Sequence, residues 1–392
     1  MSFARLEAVQ HVIHSHYPAL RAIRTRKALE RSAVWAEIGG EVTRVLESVE
    51  RGDWAPAPTA PAPSRGARAL RAVAWNIQRG ARLDDLRRAV VTPPFAEADV
   101  LLLSEVDVGL GRSDNRNVAR ELAEALGMSY AFGVSYLALT DDFGENAAGV
   151  ENTLALSGAA VLSRYPIARV ENVDLPEIRD KFHSSEKRLG KKRALRAELA
   201  LPDGPLVVAA CHLDSNASPA QRALQLGAIL DSIDRSGVAR ALVGGDLNTT
   251  TYDLSSTLAL ARDLLHKLFV TGFRATVDQY LTPEKHYERP VFELLRARNF
   301  TIEGFNDRKT GTCFYDLTDP YALDRTRKLV GRALTRLLVR LLRPWNGCVP
   351  ARLDWFAGRN VTPVAAAVER PRAAADGRPL SDHSAVFVDV AT

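Results

Sequence analysis

Apolar and polar positions alternate along this chain in two different rhythms. Up to about residue 50 the apolar residues return every three or four positions: Leu6, Val9, Val12 and Ile13, then Val34, Ile38, Val42 and Val45. That spacing lines one side of a helix, so residues 1–50 are expected to form a helical N-terminal extension. The tract "WAPAPTAPAPSRGA" follows; it suits neither helix nor central strand, and residues 51–68 read as a semi-rigid linker and domain boundary. From Ala69 onward the rhythm changes to short apolar runs of strand length, "AVAW", "DVLLLSE", "GAAVLS", "LVVAACH" and "ALVGGD". Helical stretches lie between several of them, as at Asn117 to Leu126 and Ala220 to Ile233, and a last strand runs through "SAVFVDV". Alternation of this kind predicts an α/β domain over 69–392.

Composition narrows the class without naming a function. Of 392 residues, 46% are hydrophobic and 25% charged, the balance of a chain that buries a large core. The net charge of +5 is too small to argue for nucleic acid, so local clustering must carry any such claim. Cys211, Cys313 and Cys348 have neither metal-site nor disulfide-framework spacing, and the first residues contain no apolar leader. A cytoplasmic setting is therefore expected.

Several strand-like runs finish in a residue able to do chemistry. "RAVAWN" ends at Asn76, "VLLLSE" at Glu105, "LVVAACH" at His212, and "ALVGGDLN" at Asp246 and Asn248. The crevice beyond strand ends is where α/β sheets bind ligands, because side chains there leave the packed interior. "RLDWF" sets Asp354 inside an apolar stretch, where an ion needs a partner, and "SDHS" places Asp382 beside His383 at the start of the last strand. Each has a plain reading on its own. Asn76 suits a turn, Glu105 a cap, His212 a core histidine, Asp354 a partner for Arg352 or Arg359, and "SDH" a polar turn.

Together, "WNIQRG", "LLLSEVD", "GAAVLSRYPI", "CHLD", "GGDLNT", "RLDW" and "SDHSAV" resemble, in the same order, the endonuclease/exonuclease/phosphatase superfamily of metal-dependent phosphoesterases. The resemblance implies a four-layer sandwich of two mixed β-sheets flanked by helices, from about residue 70 to the C-terminus. It implies hydrolysis of phosphoesters, in diesters above all, with magnesium or manganese held by Glu105, Asn76 and Asp382. Asp246 would activate water, Asn248 would hold that water or a phosphoryl oxygen, and His212 and His383 would donate to the phosphate, His383 being positioned by Asp354. Gln78 stands where some relatives carry an aspartate, which puts a second metal in doubt. A catalytically silent phosphate-binding module of the same fold is the rival reading.

Two basic segments bear on the partner. "RDKFHSSEKRLGKKRALR" (179–196) offers Lys187, Arg188, Lys191, Lys192 and Arg193 either to phosphates or simply to solvent. In "DPYALDRTRKLVGRALTRLLVRLLRP", Pro320 starts and Pro344 stops an expected helix, a basic insertion near 320–343. Its arginines and Lys328 form a stripe beside an apolar face of Leu323, Val330, Leu334, Leu337 and Leu341. Such a helix lies on an anionic membrane, touches nucleic acid, or packs on its own domain. The expected substrate is phosphate-bearing, either nucleic acid or a phospholipid or inositol phosphate headgroup.

Overall fold

The structure, a computed structural model, describes residues 3–54, 69–140, 149–184, 186–250, 257–375 and 377–392. Its strands are β1 (Phe3–Glu7), β2 (Val49–Trp54), β3 (Ala69–Arg79), β4 (Val100–Val108), β5 (Ser129–Ala138), β6 (Leu156–Ser163), β7 (Ile167–Asp174) and β8 (Arg188–Gly190). They continue as β9 (Arg193–Leu201), β10 (Gly204–His212), β11 (Ala241–Asp246), β12 (Cys313–Asp316), β13 (Cys348–Ala351), β14 (Asp354–Arg359), β15 (Thr362–Glu369) and β16 (Ala385–Ala391). One nine-stranded sheet runs β1-β2-β5-β6-β4-β3-β16-β15, with β8 on β5, and a five-stranded sheet runs β14-β11-β10-β9-β7. Both are mixed: β3–β4 and β10–β11 are parallel pairs among antiparallel neighbours.

The strands show why the layers form. Along β3, Leu70, Ala72 and Ala74 face the second sheet, while Val73, Trp75 and Ile77 face helices on the other side. Along β10, Leu206, Val208 and Ala210 enter the space between the sheets, and Val207, Ala209 and Cys211 meet the opposite helices. A period of two therefore feeds separate apolar clusters from one strand. Helices Ala33–Glu47, Leu83–Val90 and Val118–Leu126 cover the large sheet, and Pro219–Arg235 and Arg289–Ala297 cover the small one. The expected sandwich of two mixed sheets between helices is the fold observed.

The N-terminal segment corrects the sequence reading. Residues 1–50 are not only helical, and the linker does not begin at 51, because β1 and β2 extend the large sheet by pairing β2 with β5. Val9, Ile13, Leu20, Val42 and Val45 share one core with Val73 and Trp75. Buried Glu50 fastens this edge, accepting from Val9 N (3.0 Å), Asn117 Nδ2 (2.6 Å), Arg120 Nη2 (3.0 Å) and the Tyr130 hydroxyl (2.6 Å). The rest of the expected linker, 55–68, lies outside the described residues.

The basic insertion is also different from expectation. Pro320–Leu341 is helical but breaks at Gly331, whose φ of 81° and ψ of 165° leave the helical region. Glycine reaches such angles without a Cβ clash, so a single straight stripe is not formed. Leu334 and Leu337 of the expected apolar face are exposed, whereas Leu342 is buried and Leu338 packs beside it.

Candidate active site

The ends of β3, β4, β10, β11, β14 and the entry to β16 meet at one place. His212 sits opposite Asp246 in the β10–β11 ladder, and Asp246 opposite Asp354 in β11–β14, so unbroken register delivers these three side by side. Gly245 lets β11 come this close: with φ at 137°, a Cβ there would lie 2.1 Å from the Cys211 carbonyl oxygen. Just past the strand, Asn248 bends back (φ 51°), its main-chain N–H donating to Asp246 Oδ1 (2.8 Å) and its amide to Asp246 Oδ2 (3.1 Å) and Leu213 O (2.9 Å).

Glu105 arrives by another route. The β4 register slips on both sides of the strand at this residue, and its φ is 53°. A bulge of this kind re-aims one side chain out of the pleat. Gln78 and Arg79, where β3 ends, also have positive φ, 47° and 69°. Left-handed backbone at such residues is held in place only by surrounding structure and gathers at functional sites.

The "SDH" turn is hooked onto β3. Ser381 Oγ donates to Asn76 O (2.6 Å) and accepts from His383 N (3.1 Å), while Trp75 Nε1 donates to His383 O (3.0 Å). His383 Nδ1 lies 2.8 Å from Asp354 Oδ2, and its Nε2 3.8 Å from Asp246 Oδ2. Asn76 Nδ2 is 3.3 Å from both Glu105 Oε1 and Asp246 Oδ2. His212 Nε2 is 3.5 Å from Asp246 Oδ2 and 3.9 Å from Glu105 Oε1.

Seven of the eight residues singled out in the sequence thus converge: Asn76, Glu105, His212, Asp246, Asn248, Asp354 and His383. Asp382 does not join them by any hydrogen bond to Glu105 or Asn76 among the described residues. It stands exposed on the rim, where its main-chain N–H donates to Gln78 Oε1 (3.1 Å). The plain partners for Asp354 are otherwise engaged: Arg352 donates to the Asp307 and Thr310 carbonyls and Arg359 to Asp234 (2.6 Å).

Electrostatics divide the two histidines. Burial lowers the His212 pKa to about 4, helped by the Lys192 ammonium and opposed by Asp246 and Glu105, so the ring is neutral at neutral pH. Burial also disfavours charge on His383, but the carboxylates of Asp354 and Asp246 outweigh it and hold the pKa well above the ordinary value. Burial raises the Asp246 carboxyl, the nearby Asp354 charge adds to this, and the two histidines oppose it. Glu105 is the reverse: burial is overcome by His212, Arg79 and Lys192, which keep it well below the usual carboxylate range.

These differences decide where a cation fits. Asp246, Asp354 and His383 offer ligand atoms within 4.8 Å of one another, but the 2.8 Å contact between His383 Nδ1 and Asp354 Oδ2 already pairs two of them. Glu105 is ionised and partly exposed, and among the described residues its closest donor is Asn76 Nδ2 at 3.3 Å, which leaves its oxygens room for a hard cation.

The basic segment 179–196 is mostly spent on structure. Lys187 donates to the Arg21 carbonyl (2.8 Å) and caps the Phe182 ring, Arg188 pairs with Glu186, and Lys191 (2.7 Å) and Arg193 (2.5 Å) pair with Asp174. Of the five, Arg188, Lys192 and Arg193 also border the site. Lys192 lines a cleft with Arg79, Glu105, Tyr136, Arg188 and His212, and burial lowers its pKa to about 8. Arg79 and Tyr136 were not singled out in the sequence; for Arg79 the signal was its place in "WNIQRG", three positions after Asn76. Ser163 and Arg164 belong to the far end of β6, where Arg164 donates to the Ala96 and Ala98 carbonyls (2.8 and 2.9 Å).

A sandwich with paired carboxylate and imidazole groups at its strand ends defines a class of phosphoester hydrolases. The chain belongs to the Endonuclease/Exonuclease/phosphatase family, whose sequence model matches residues 73–383. No curated protein matches it. Among solved structures it is similar to an endonuclease/exonuclease/phosphatase from Beutenbergia cavernae, at 18% identity and a TM-score of 0.51, over 83% of this chain and 72% of that one. It is also similar to the exonuclease NExo from Neisseria meningitidis, at 14% identity and a TM-score of 0.45, over 81% and 98% of the two chains. A third is D. rerio TDP2 complexed with a single-strand DNA product, at 14% identity and a TM-score of 0.42, over 83% and 99%.

Proposed function

We propose that this protein is a magnesium-dependent phosphodiesterase, with manganese able to substitute, in which Asp246 activates the attacking water. The observation that carries this reading is the crowding around one carboxylate oxygen. Asp246 Oδ2 lies within 3.1 to 3.8 Å of Asn248, Asn76, His212 and His383. A carboxylate so surrounded and buried sits at the centre of a proton-handling group rather than in a surface ion pair.

Glu105, with the Asn76 amide beside it, would hold the cation. When bound, that ion would polarise a phosphoryl oxygen and steady the departing one. Asp246 has a carboxyl raised by burial, which makes it a better base near neutral pH than an ordinary aspartate. Asn248 fixes the Asp246 carboxylate through its main-chain N–H and amide. The His383 imidazolium, clamped by Asp354, donates toward the charge that builds on the phosphoryl oxygens. Neutral His212 adds a second donor without repelling the cation. Lys192, Arg79 and Arg188 in the adjoining cleft suit a substrate whose negative charge extends beyond the scissile phosphate.

The test is hydrolysis of bis-p-nitrophenyl phosphate compared with p-nitrophenyl phosphate. Turnover of the diester should require magnesium, vanish with a chelator and return with added metal. Activity that survives the chelator, or a preference for the monoester, would sink the proposal.

A further inference from the structure

The catalytic chemistry leaves one large feature unused, the broken helix Pro320–Leu341. Between Arg325 and Arg343 the chain contains no acidic residue. Arg332, Arg336, Arg340 and Arg343 recur at steps of three and four after the break, so they line one exposed stripe. Leu337 flanks it on one side and Val339 on the other, with 47% and 39% of their surface exposed, and Leu334, further round the helix, is 36% exposed. After the break Thr335, Leu338 and Leu342 turn inward, as Leu323 and Thr326 do before it, the three leucines toward a small cluster with Val277, Tyr280, Leu317 and Val349. A helix that merely packs on its own domain would bury its leucines and leave the arginines in water. Here both kinds of residue face out together.

We infer that this helix docks the enzyme on an anionic lipid surface. Arginines reach phosphate-level charge while their stems and the exposed leucines enter the acyl boundary, so a bilayer satisfies both halves of the exposed face. Duplex nucleic acid would engage the arginines but leave Leu334 and Leu337 against water. The break at Gly331 adds a groove lined by Leu317, Asp324, Arg327, Lys328, Arg332 and Arg336; Asp324 pairs with Lys328 (2.7 Å), and the three arginines suit a single anionic headgroup at the elbow.

Docking here would bear on the active site through a short tether. The helix is the excursion between β12 and β13, which pair with each other. Thr312, immediately before β12, accepts from the main-chain N–H of Asp354 (3.0 Å), and Cys313 bridges to His383. A helix held on a bilayer therefore holds the Asp354–His383 end of the site at a fixed distance from it.

The experiment is co-sedimentation of the full chain with phosphatidylcholine vesicles, with and without phosphatidylserine. Binding should need phosphatidylserine and weaken with salt. Each arginine near such a surface is worth about fivefold, so Arg332→Gln, Arg336→Gln and Arg340→Gln together should weaken binding on the order of a hundredfold. Leu334→Ser with Leu337→Ser should also weaken it, and both variants should keep their turnover of the soluble diester. Equal binding to both vesicle types, or none, would overturn the inference. So would a DNA duplex that displaces the vesicles and binds the serine variant as well as the parent, since that would mark a nucleic-acid surface.

Discussion

The two sheets meet at the active site and bring different things to it. The large sheet delivers Glu105 on a bulged, left-handed backbone with 30% of its side chain exposed. The small sheet delivers His212, Asp246 and Asp354 in regular register, with Asp246 at 2% and Asp354 at 0%. One side therefore offers an ionised, accessible carboxylate suited to a cation, and the other a dry, hydrogen-bonded group suited to moving protons. Carboxylates that differ this much in surroundings take different roles even within a few ångströms of each other.

The sharpest way to break this contrast is to remove the base. Asp246→Asn should keep the shape but lower kcat by roughly 10²–10⁴-fold, with the metal-activation midpoint nearly unchanged. If the midpoint moves instead, Asp246 belongs to the cation side and the division fails. Glu105→Gln should do the opposite, shifting that midpoint upward by at least about 10–100-fold, the loss typical of groups that merely support a metal ligand. Metal titration of activity separates the two.

The clamp between Asp354 of the small sheet and His383 at the entry to β16 of the large one is tested by a double-mutant cycle. His383→Ala and Asp354→Ala should lose similar activity, and the double variant scarcely more than either, because the two act as one unit. Additive losses would separate them.

The pH profile sharpens the same point. His383 is held above its unfolded value near ~6.5. Its charged form is therefore favoured by folding. The stability it contributes is complete below that unfolded value and lost as pH rises through the folded one. Asp354→Asn removes the carboxylate, lowers the folded pKa, and should move the alkaline limb of kcat to lower pH. A limb that stays in place would free His383 from Asp354. The smallest effect is expected at Lys192. Its charge helps to depress His212, so Lys192→Met should raise the His212 pKa from about 4 toward its ordinary value. Histidine titration by NMR in the metal-free protein reads this directly.

Strand-end chemistry was legible because period-two runs and the residues that close them are local features. "RAVAWN", "LVVAACH" and "ALVGGD" became parts of β3, β10 and β11, with His212 and Asp246 closing their strands and Asn76 three residues before β3 ends at Arg79. The N-terminal strands were not legible, because "VERGDW" carries polar residues into a place between β1 and β5 and depends on Glu50 finding Asn117, Arg120 and Tyr130 far along the chain. Nor could spacing tell Lys192 from its neighbours: Lys191 and Arg193 turn to Asp174, a partner set by the β7–β9 pairing. Gly331 was in plain view, but a single glycine inside a strong helical pattern does not by itself announce a break.

The two N-terminal strands have a practical consequence for anyone who trims this protein. A fragment cut to the family-matching span, 73–383, would lose β1, β2 and all of β16, together with the start of β3. The β5 main chain from Tyr130 to Gly133, now paired with β2, would become a bare hydrogen-bonding edge. Such edges recruit strands from other molecules. The buried carboxylate of Glu50 then matters less for holding one residue than for keeping the sheet from becoming a template for aggregation.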